Sequence, residues 1–364
     1  MINNPEQCQC GISGNQSSAR APCRIYRCTG DWDAYHMDNN NMQKKCIHNR
    51  DSTPMTQHSK PAPTAHPFLK WAGGKTQLLR QLNQRLPPEI KNGEITRYVE
   101  PFVGGGAVFF HISHKFPFTT RYIFDLNEEL ILLYRVIKKS PNKLIHELDI
   151  LEYEYISGRD EDRERLFYSV RNLFNQKKPE IDFRKYDPGW VTRAAYTIFL
   201  NRTCYNGLFR MNRKGEFNVP FGKYKNPRIL NKNNLSSVAG ILKATNIIPG
   251  DFTKCKMCVD NKTFVYFDPP YRPLNDTSSF TAYSKDGFSD KDQERLAVLF
   301  KDLDKKGAKI MLSNSDPGNE NPDDSFFEEL YSDYTIERVP ARRIINCNGS
   351  QRGEINELII TNYR

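Results

Sequence analysis

Residues 1–65 contain no leucine, no valine and no phenylalanine. A segment without them cannot bury enough apolar surface to offset its ordering entropy, so it is expected to be disordered or loosely held. No apolar run in the chain approaches the roughly 18 residues that a membrane span needs, and no basic-then-apolar start resembles a signal peptide. The reading is a soluble, cytoplasmic protein with no membrane partner. Acids are in the minority: 43 Asp and Glu face 53 Lys and Arg, a balance of +10 with His neutral. That excess favours an acidic partner, of which nucleic acid is the commonest. With 38% hydrophobic and 12% aromatic residues, the chain is neither fibrous nor wholly disordered and can bury a sizeable core. Its 364 residues suit two domains, or one large α/β domain with an insertion.

Five of the nine cysteines, Cys8, Cys10, Cys23, Cys28 and Cys46, fall in the first stretch. Cys23, Cys28 and Cys46 with His36 and His48 offer zinc ligands, but in no standard spacing. Met55 offers an alternative start, on which everything before it is upstream sequence wrongly translated. Cys255 and Cys258 form a C-x-x-C with no second pair. They read as reduced thiols rather than a metal site, nothing points to an oxidising compartment, and no metal is expected.

From His66 onward, short apolar runs read as strands with polar exits. Arg97–Glu100 leads into Pro101-Phe102-Val103-Gly104-Gly105-Gly106, and Tyr122–Phe124 into Asp125. Asn246–Ile248 precedes Gly250-Asp251-Phe252, and Thr263–Phe267 runs into Asp268-Pro269-Pro270-Tyr271. Lys309–Leu312 ends in Ser313-Asn314-Ser315, and Glu357–Ile360 is a last candidate. Over Asp290–Lys305, Leu296, Leu299, Phe300 and Leu303 share one helical face. Strands alternating with helices imply an α/β, mostly parallel sheet, whose ligands bind at the carboxyl ends of the strands. Residues 128–245 interrupt the rhythm. They are helix-rich at first (Glu129–Ile137, Arg163–Phe174), then basic, glycine- and asparagine-rich and loop-like. The division expected is residues 66–127 with 246–364 as one domain and 128–245 inserted as a second.

Two glycine motifs fail as nucleotide signatures. Ala72-Gly73-Gly74-Lys75-Thr76 has Leu69 where a phosphate loop needs its first glycine, and the third glycine of a dinucleotide fingerprint would fall at Phe109. What remains is a strand, an acid (Glu100) and a backbone stripped of side chains, which a nucleoside-sized cofactor can approach closely. Asp125, at the end of the next strand, can accept from ribose hydroxyls.

Asp268-Pro269-Pro270-Tyr271 carries the chemistry. The exocyclic amino group of a nucleobase is a poor nucleophile, because its lone pair is delocalised into the ring. A carboxylate (Asp268) and a fixed carbonyl (Pro269) can accept its two N–H bonds and hold the nitrogen in line with an electrophile. The prolines present no competing N–H, and Tyr271 can stack on an extruded base.

These residues, with Phe68-Leu69-Lys70-Trp71-Ala72-Gly73-Gly74-Lys75 and Glu100–Gly106, resemble the Dam family, the D12 class of adenine-N6 DNA methyltransferases using S-adenosyl-L-methionine. The similarity runs from about Pro67 to the end, with the motifs in the family's order. It implies a seven-stranded Rossmann-like sheet with an inserted, mainly helical target-recognition domain. By this resemblance Trp71, Gly74 and Lys75 would hold the methionine part of the cofactor. Glu100, Phe102, Gly104 and Gly106 would shape its floor, Asp125 would take the ribose, and Asp251 with Phe252 the adenine. Asp268 would serve both cofactor and target. Because the sulfonium is already activated, no metal is needed.

From Trp190 to Lys232, nine Lys and Arg face one acid, Glu216. The interleaved Tyr205, Phe209, Phe217, Phe221 and Tyr224 turn this run towards a nucleic-acid surface. Asn201–Arg210 and Gly215–Gly222 resemble the recognition segment of family members that methylate GATC. The likeness places Arg202, Tyr205, Asn206, Leu208, Arg210, Asn218 and Pro220 on double-stranded DNA. Arg210 would read a guanine, Leu208 and Pro220 a thymine methyl, and Tyr205 and Asn206 would lie where the adenine leaves the stack. Cys204 stands where some relatives have glycine. The expectation is a monomer that methylates adenine N6 in GATC with base flipping. Its alternatives are an inactive DNA-binding protein on the same fold, or a methylase of cytosine N4 or RNA adenine.

Overall fold

The alternating runs assemble into one mixed sheet in the computed structural model, which describes residues 64–272, 288–342 and 354–364. The readings of residues 1–63, with their zinc ligands and the Met55 start, lie outside the described residues, all of which fall within the unit Lys60–Arg364. The strands are β1 (Arg97–Glu100), β2 (Thr120–Asp125), β3 (Thr245–Pro249), β4 (Thr263–Phe267), β5 (Lys309–Ser315), β6 (Thr335–Arg342) and β7 (Glu354–Thr361). Their order is β3-β2-β1-β4-β5-β7-β6. The first five are mutually parallel, and β7 runs antiparallel between β5 and β6. Six strands lie where the apolar runs stand. The seventh, β6, hides in Thr-Ile-Glu-Arg-Val-Pro-Ala-Arg, whose charges and Pro340 argue against a strand. It is an edge strand, where a proline costs no ladder bond.

Side chains alternate between two buried layers. Tyr98, Ile123, Phe264, Tyr266, Met311 and Ile359 face one side; Val99, Phe124, Val265, Phe267, Leu312 and Leu358 face the other. The helices are α1 (Leu79–Gln84), α2 (Pro88–Lys91), α3 (Ala107–Lys115), α4 (Glu128–Lys139), α5 (Pro141–Ser157), α6 (Asp160–Gln176), α7 (Gly189–Thr203), α8 (Lys232–Lys243), α9 (Asp290–Asp304) and α10 (Phe326–Leu330). The first layer holds the apolar residues of α1 to α8. Within it α4 packs on β2 and β3, and α7 on α4, α5 and α6. The second holds those of α9, α10 and the 3-10 turn Phe252–Cys258, with Leu296, Leu299, Phe300 and Leu303 inward as their spacing requires.

Helix α7 occupies ground where the sequence reads as basic and loop-like. It is buried on nearly every face, from Trp190 and Val191 to Asn201 and Thr203, so it shows no amphipathic stripe. Arg193, counted in the basic run, lies inside this helix at 3% exposure. It is not a surface charge.

Because β1 to β5 run parallel, their carboxyl ends share one edge. The glycine loop, Asp251 and Asp268 leave the sheet there, beside Asp125 at the end of β2 and Ser313 near the end of β5.

Candidate active site

A polar row crosses the carboxyl edge on the first face. Tyr98 and Glu100 are two apart on β1, as are Tyr266 and Asp268 at the end of β4, so each pair shares that face. Segment 66–78 lies over the row and drops Lys75, at 6% exposure, into it. The Lys75 Nζ is 2.7 Å from Asp268 Oδ1, donates to the Gly73 carbonyl at 3.0 Å and lies 4.4 Å from the centre of the Tyr271 ring. The Ser313 hydroxyl donates to Asp268 Oδ1 at 3.3 Å and is 2.8 Å from the Tyr266 hydroxyl. The Tyr98 hydroxyl donates to buried Glu100, and that of Tyr271 to Glu357 on β7. Burial raises the Asp268 carboxyl above the usual carboxylate range, with Lys75 and Ser313 opposing. It raises Glu100 well above that range, opposed by the Tyr98 hydroxyl and reinforced by the charge of Asp268. One lysine thus opposes the effect of burial on the carboxylate at the Asp-Pro-Pro-Tyr corner.

Beside it the loop after β1 is bare by necessity. A Cβ at Gly106, whose φ is +73°, would meet the Tyr134 hydroxyl at 2.6 Å, an oxygen that instead donates to the Gly104 carbonyl at 3.0 Å. The Trp71 side chain lies across Gly104 and Gly105 and stacks on Phe209, ring centres 5.8 Å apart. Asp125 clamps the loop: its Oδ2 accepts from the Gly104 amide at 3.0 Å and its Oδ1 from the Asn127 amide at 2.8 Å. Burial raises its carboxyl, and those amides pull it back. On the second face Phe102 stacks on Phe252 at 5.3 Å, with Phe288 edge-on to Phe102 at 5.7 Å. Asp251 accepts from Thr253 and from Arg295 at 3.1 Å. Burial works to raise its carboxyl, but these bonds bring it below its ordinary value. Gly74 has its amide on the Trp71 carbonyl at 3.3 Å.

The recognition segment folds back on itself. Bridges pair Cys204 with Phe221 and Met211 with Phe217, the Tyr205 amide donates to Pro220 and the Asn218 amide to Arg210. Phe217, Val219 and Phe221 point inward while Asn218 and Pro220 alternate outward. Arg210 is exposed beside Asn218, its Nε on Oδ1 at 3.0 Å. Tyr205 is 55% exposed, and Asn206 sits at φ 55° with its amide on the Tyr224 hydroxyl. Of the aromatics read as a stacking surface, Phe209, Phe217 and Phe221 are core residues. Leu208 is half-buried. Arg202 is half-buried too and donates to the Phe68 carbonyl at 2.7 Å, tying α7 to the segment that carries Trp71 and Lys75.

The sequence pattern of the D12 class of N6 adenine-specific DNA methyltransferases matches residues 71–345. The chain belongs to this class. It is 51% identical over 298 residues to the type II methyltransferase M.MjaIII of Methanocaldococcus jannaschii, covering 82% of this chain and 99% of that one. It is 40% identical over 299 residues to a type II methyltransferase of Lactococcus lactis subsp. cremoris, covering 82% and 95%. With the DNA adenine methylase of Escherichia coli it shares 34% over 293 residues, covering 80% and 93%. The protein is therefore an adenine-specific DNA methyltransferase. An inactive binder, a cytosine methylase and an RNA methylase are set aside.

Several residues at this corner carry little signal in the sequence. Ser313 looks like a strand exit, and Tyr98 and Tyr266 like core tyrosines. Glu357 did carry a signal: an acid between Ile355 and Ile359 on the inward face of an apolar strand. Arg295 and Phe288 meet Asp251 and Phe252 only through the fold. No helix among the described residues is long and apolar enough to cross a membrane.

Proposed function

We propose that the enzyme transfers a methyl group from S-adenosyl-L-methionine to N6 of the adenine in GATC, in double-stranded DNA, with the adenine swung out of the duplex. The observation that carries this is the corner itself: the Asp268 carboxylate, largely withdrawn from water and paired with Lys75, stands with the Tyr271 ring beside a glycine loop that admits no side chain.

The residues fit the cofactor. A Cβ at Gly105 or Gly106 would be under 3.0 Å from Trp71 or Tyr134, so these glycines let Trp71 and Tyr134 pack directly on the loop backbone and bring the indole to the side of the site. The Asp125 carboxylate stands next to it for a ribose. The Phe102–Phe252 stack, with Asp251, offers an apolar shelf and a polar rim for a purine. Lys75 is the cation for the methionine carboxylate, with Trp71, Gly74 and Glu100 around it. When bound, the cofactor supplies a methyl group activated by a sulfonium.

The chain's own residues do the rest. Asp268, as carboxylate, and the Pro269 carbonyl accept the two N–H bonds of the amino group, which localises its lone pair and fixes its direction. Pro270 keeps the turn rigid. Tyr271 takes the face of the base. Segment 128–245 reads the target: Arg210 a guanine edge, Leu208 and Pro220 a thymine methyl, Tyr205 and Asn206 the gap in the stack, Arg202 and Asn218 positioning them. The resemblance of Asn201–Gly222 to the GATC recognition segment supports the sequence assignment, as does the outward set Tyr205, Arg210, Asn218 and Pro220. The enzyme acts as a monomer.

The test is methylation of a hairpin with one GATC against the same hairpin with one base changed. Labelling of the first alone is expected; equal labelling of both ends the GATC assignment. Asp268→Ala should abolish transfer and leave DNA binding nearly intact.

A further inference from the structure

We propose that Glu357 is a positioning residue for methyl transfer, holding the Tyr271 ring over the Lys75–Asp268 pair through its hydrogen bond to the phenol. The inference rests on the reading of Tyr271 as the ring that takes the target base.

Glu357 lies on β7, opposite Ser315 of β5 and Val339 of β6. Ile355 and Ile359 stand two residues to either side and belong to the first core layer, so the pleat asks for an aliphatic residue here. Glu357 is half-buried there, and a carboxylate withdrawn from water costs free energy unless a partner compensates it. The partner is the Tyr271 hydroxyl, 86 residues away in sequence.

The two prolines fix the backbone before Tyr271, leaving its ring free to turn about its own side-chain bonds. Two contacts remove that freedom. The hydroxyl is held by Glu357, and the face lies 4.4 Å from the Lys75 ammonium, itself 2.7 Å from Asp268. The ring plane is thus set before any base arrives, and orienting the base at the reacting centre acts on the rate of transfer, while duplex affinity comes mainly from contacts elsewhere. An aliphatic residue at 357 would leave the phenol unheld. The acid therefore serves the tetrapeptide rather than the core.

The experiment is a mutant cycle on the full chain, reading single-turnover methylation of a duplex, duplex affinity by anisotropy, and opening of the site with 2-aminopurine in place of the target adenine. Glu357→Leu should lower the transfer rate on the order of tenfold to a hundredfold, with duplex affinity changed by less than about threefold. Glu357→Gln keeps an acceptor and should recover most of the rate. Tyr271→Phe should lose as much as Glu357→Leu, and the double variant no more than either, since both break one bond. If Glu357→Leu costs as much in the Tyr271→Phe background as in the parent, or Tyr271→Phe is silent where Glu357→Leu is not, Glu357 does not act through the tyrosine. Tyr271→Ala at full rate, by contrast, would overturn the reading of Tyr271 itself. Its loss with an additive cycle overturns only the role of Glu357.

Discussion

The Lys75 ammonium lies 2.7 Å from Asp268 Oδ1, and both side chains are largely withdrawn from water. On the proposed reading, in which Asp268 accepts from the amino group of the base, Lys75 is the cation that favours its ionised form. Burial alone pushes Asp268 up, and Lys75 is the main opposing charge. For an acid with a raised pKa the ionised form is lost as pH falls through that raised value. The rate at saturating cofactor should thus fall on the acid side at a pH above the ordinary carboxylate value of about 4. Lys75→Met should move that limb to higher pH. A limb that stays in place in the Lys75→Met profile would show that Lys75 does not govern Asp268.

A second buried pair concerns stability rather than chemistry. Arg193 on α7 donates to both oxygens of Glu129 on α4, through Nε at 2.7 Å and through Nη2, and its Nη1 donates to the Phe174 carbonyl at 2.9 Å. It joins the helix that follows β2 to the helix that ends at the recognition segment. Removing one partner leaves an uncompensated charge in the core, so Glu129→Ala should cost about 3–5 kcal/mol, and the double change Glu129→Leu with Arg193→Met far less. Urea unfolding of the two variants checks this; equal losses would mean that the site tolerates a lone guanidinium.

Much of the site is legible because parallel strands place their chemistry at their ends. Asp125, Asp251 and Asp268 follow short apolar runs, and a single rule about strand exits brings them to one edge. What the sequence conceals is side-chain direction across long separations. Nothing local says that Glu357 meets Tyr271 or that Arg295 meets Asp251, because those pairings are made by strand order and helix packing. The basic run misleads for a related reason. Charge counts ignore burial, and so Arg193, inside a helix apolar on nearly all sides, is counted with the surface residues Arg210 and Lys214. Pro340 misleads in the opposite sense, since only strand order reveals that its strand is at an edge.

Trp71 lies against Gly104 and Gly105 on one side and Phe209 on the other, between the loop proposed for the cofactor and the segment proposed for the target. A methyl group at Gly105 would stand 2.8 Å from the Trp71 Cβ. Gly105→Ala should therefore displace the indole, weaken cofactor binding and lower stability by about 1–3 kcal/mol. Gly73→Ala is the control: its φ of +74° brings strain, but the new Cβ meets nothing within 4 Å, so about 1 kcal/mol is expected with cofactor affinity retained. Calorimetric titration with cofactor separates them. The indole plays no part in cofactor binding if Gly105→Ala binds cofactor like the parent.

Arg210 is presented to the surface with its Nε tied to Asn218 Oδ1 at 3.0 Å. That bond fixes the guanidinium plane, and a fixed plane is what a two-point contact with guanine O6 and N7 requires. Arg210→Ala should cost about 1–3 kcal/mol of discrimination at one base pair, with cognate and substituted duplexes converging in kcat/KM. Arg210→Lys should lose nearly as much, because an ammonium supplies charge without the fork. Asn218→Ala should lose less, at the same base pair, since it frees the plane without removing the donors. Were Arg210→Ala to weaken every duplex equally and flatten the salt dependence by about one phosphate's worth, the arginine would be a backbone contact, and specificity would have to come from the rest of the outward face.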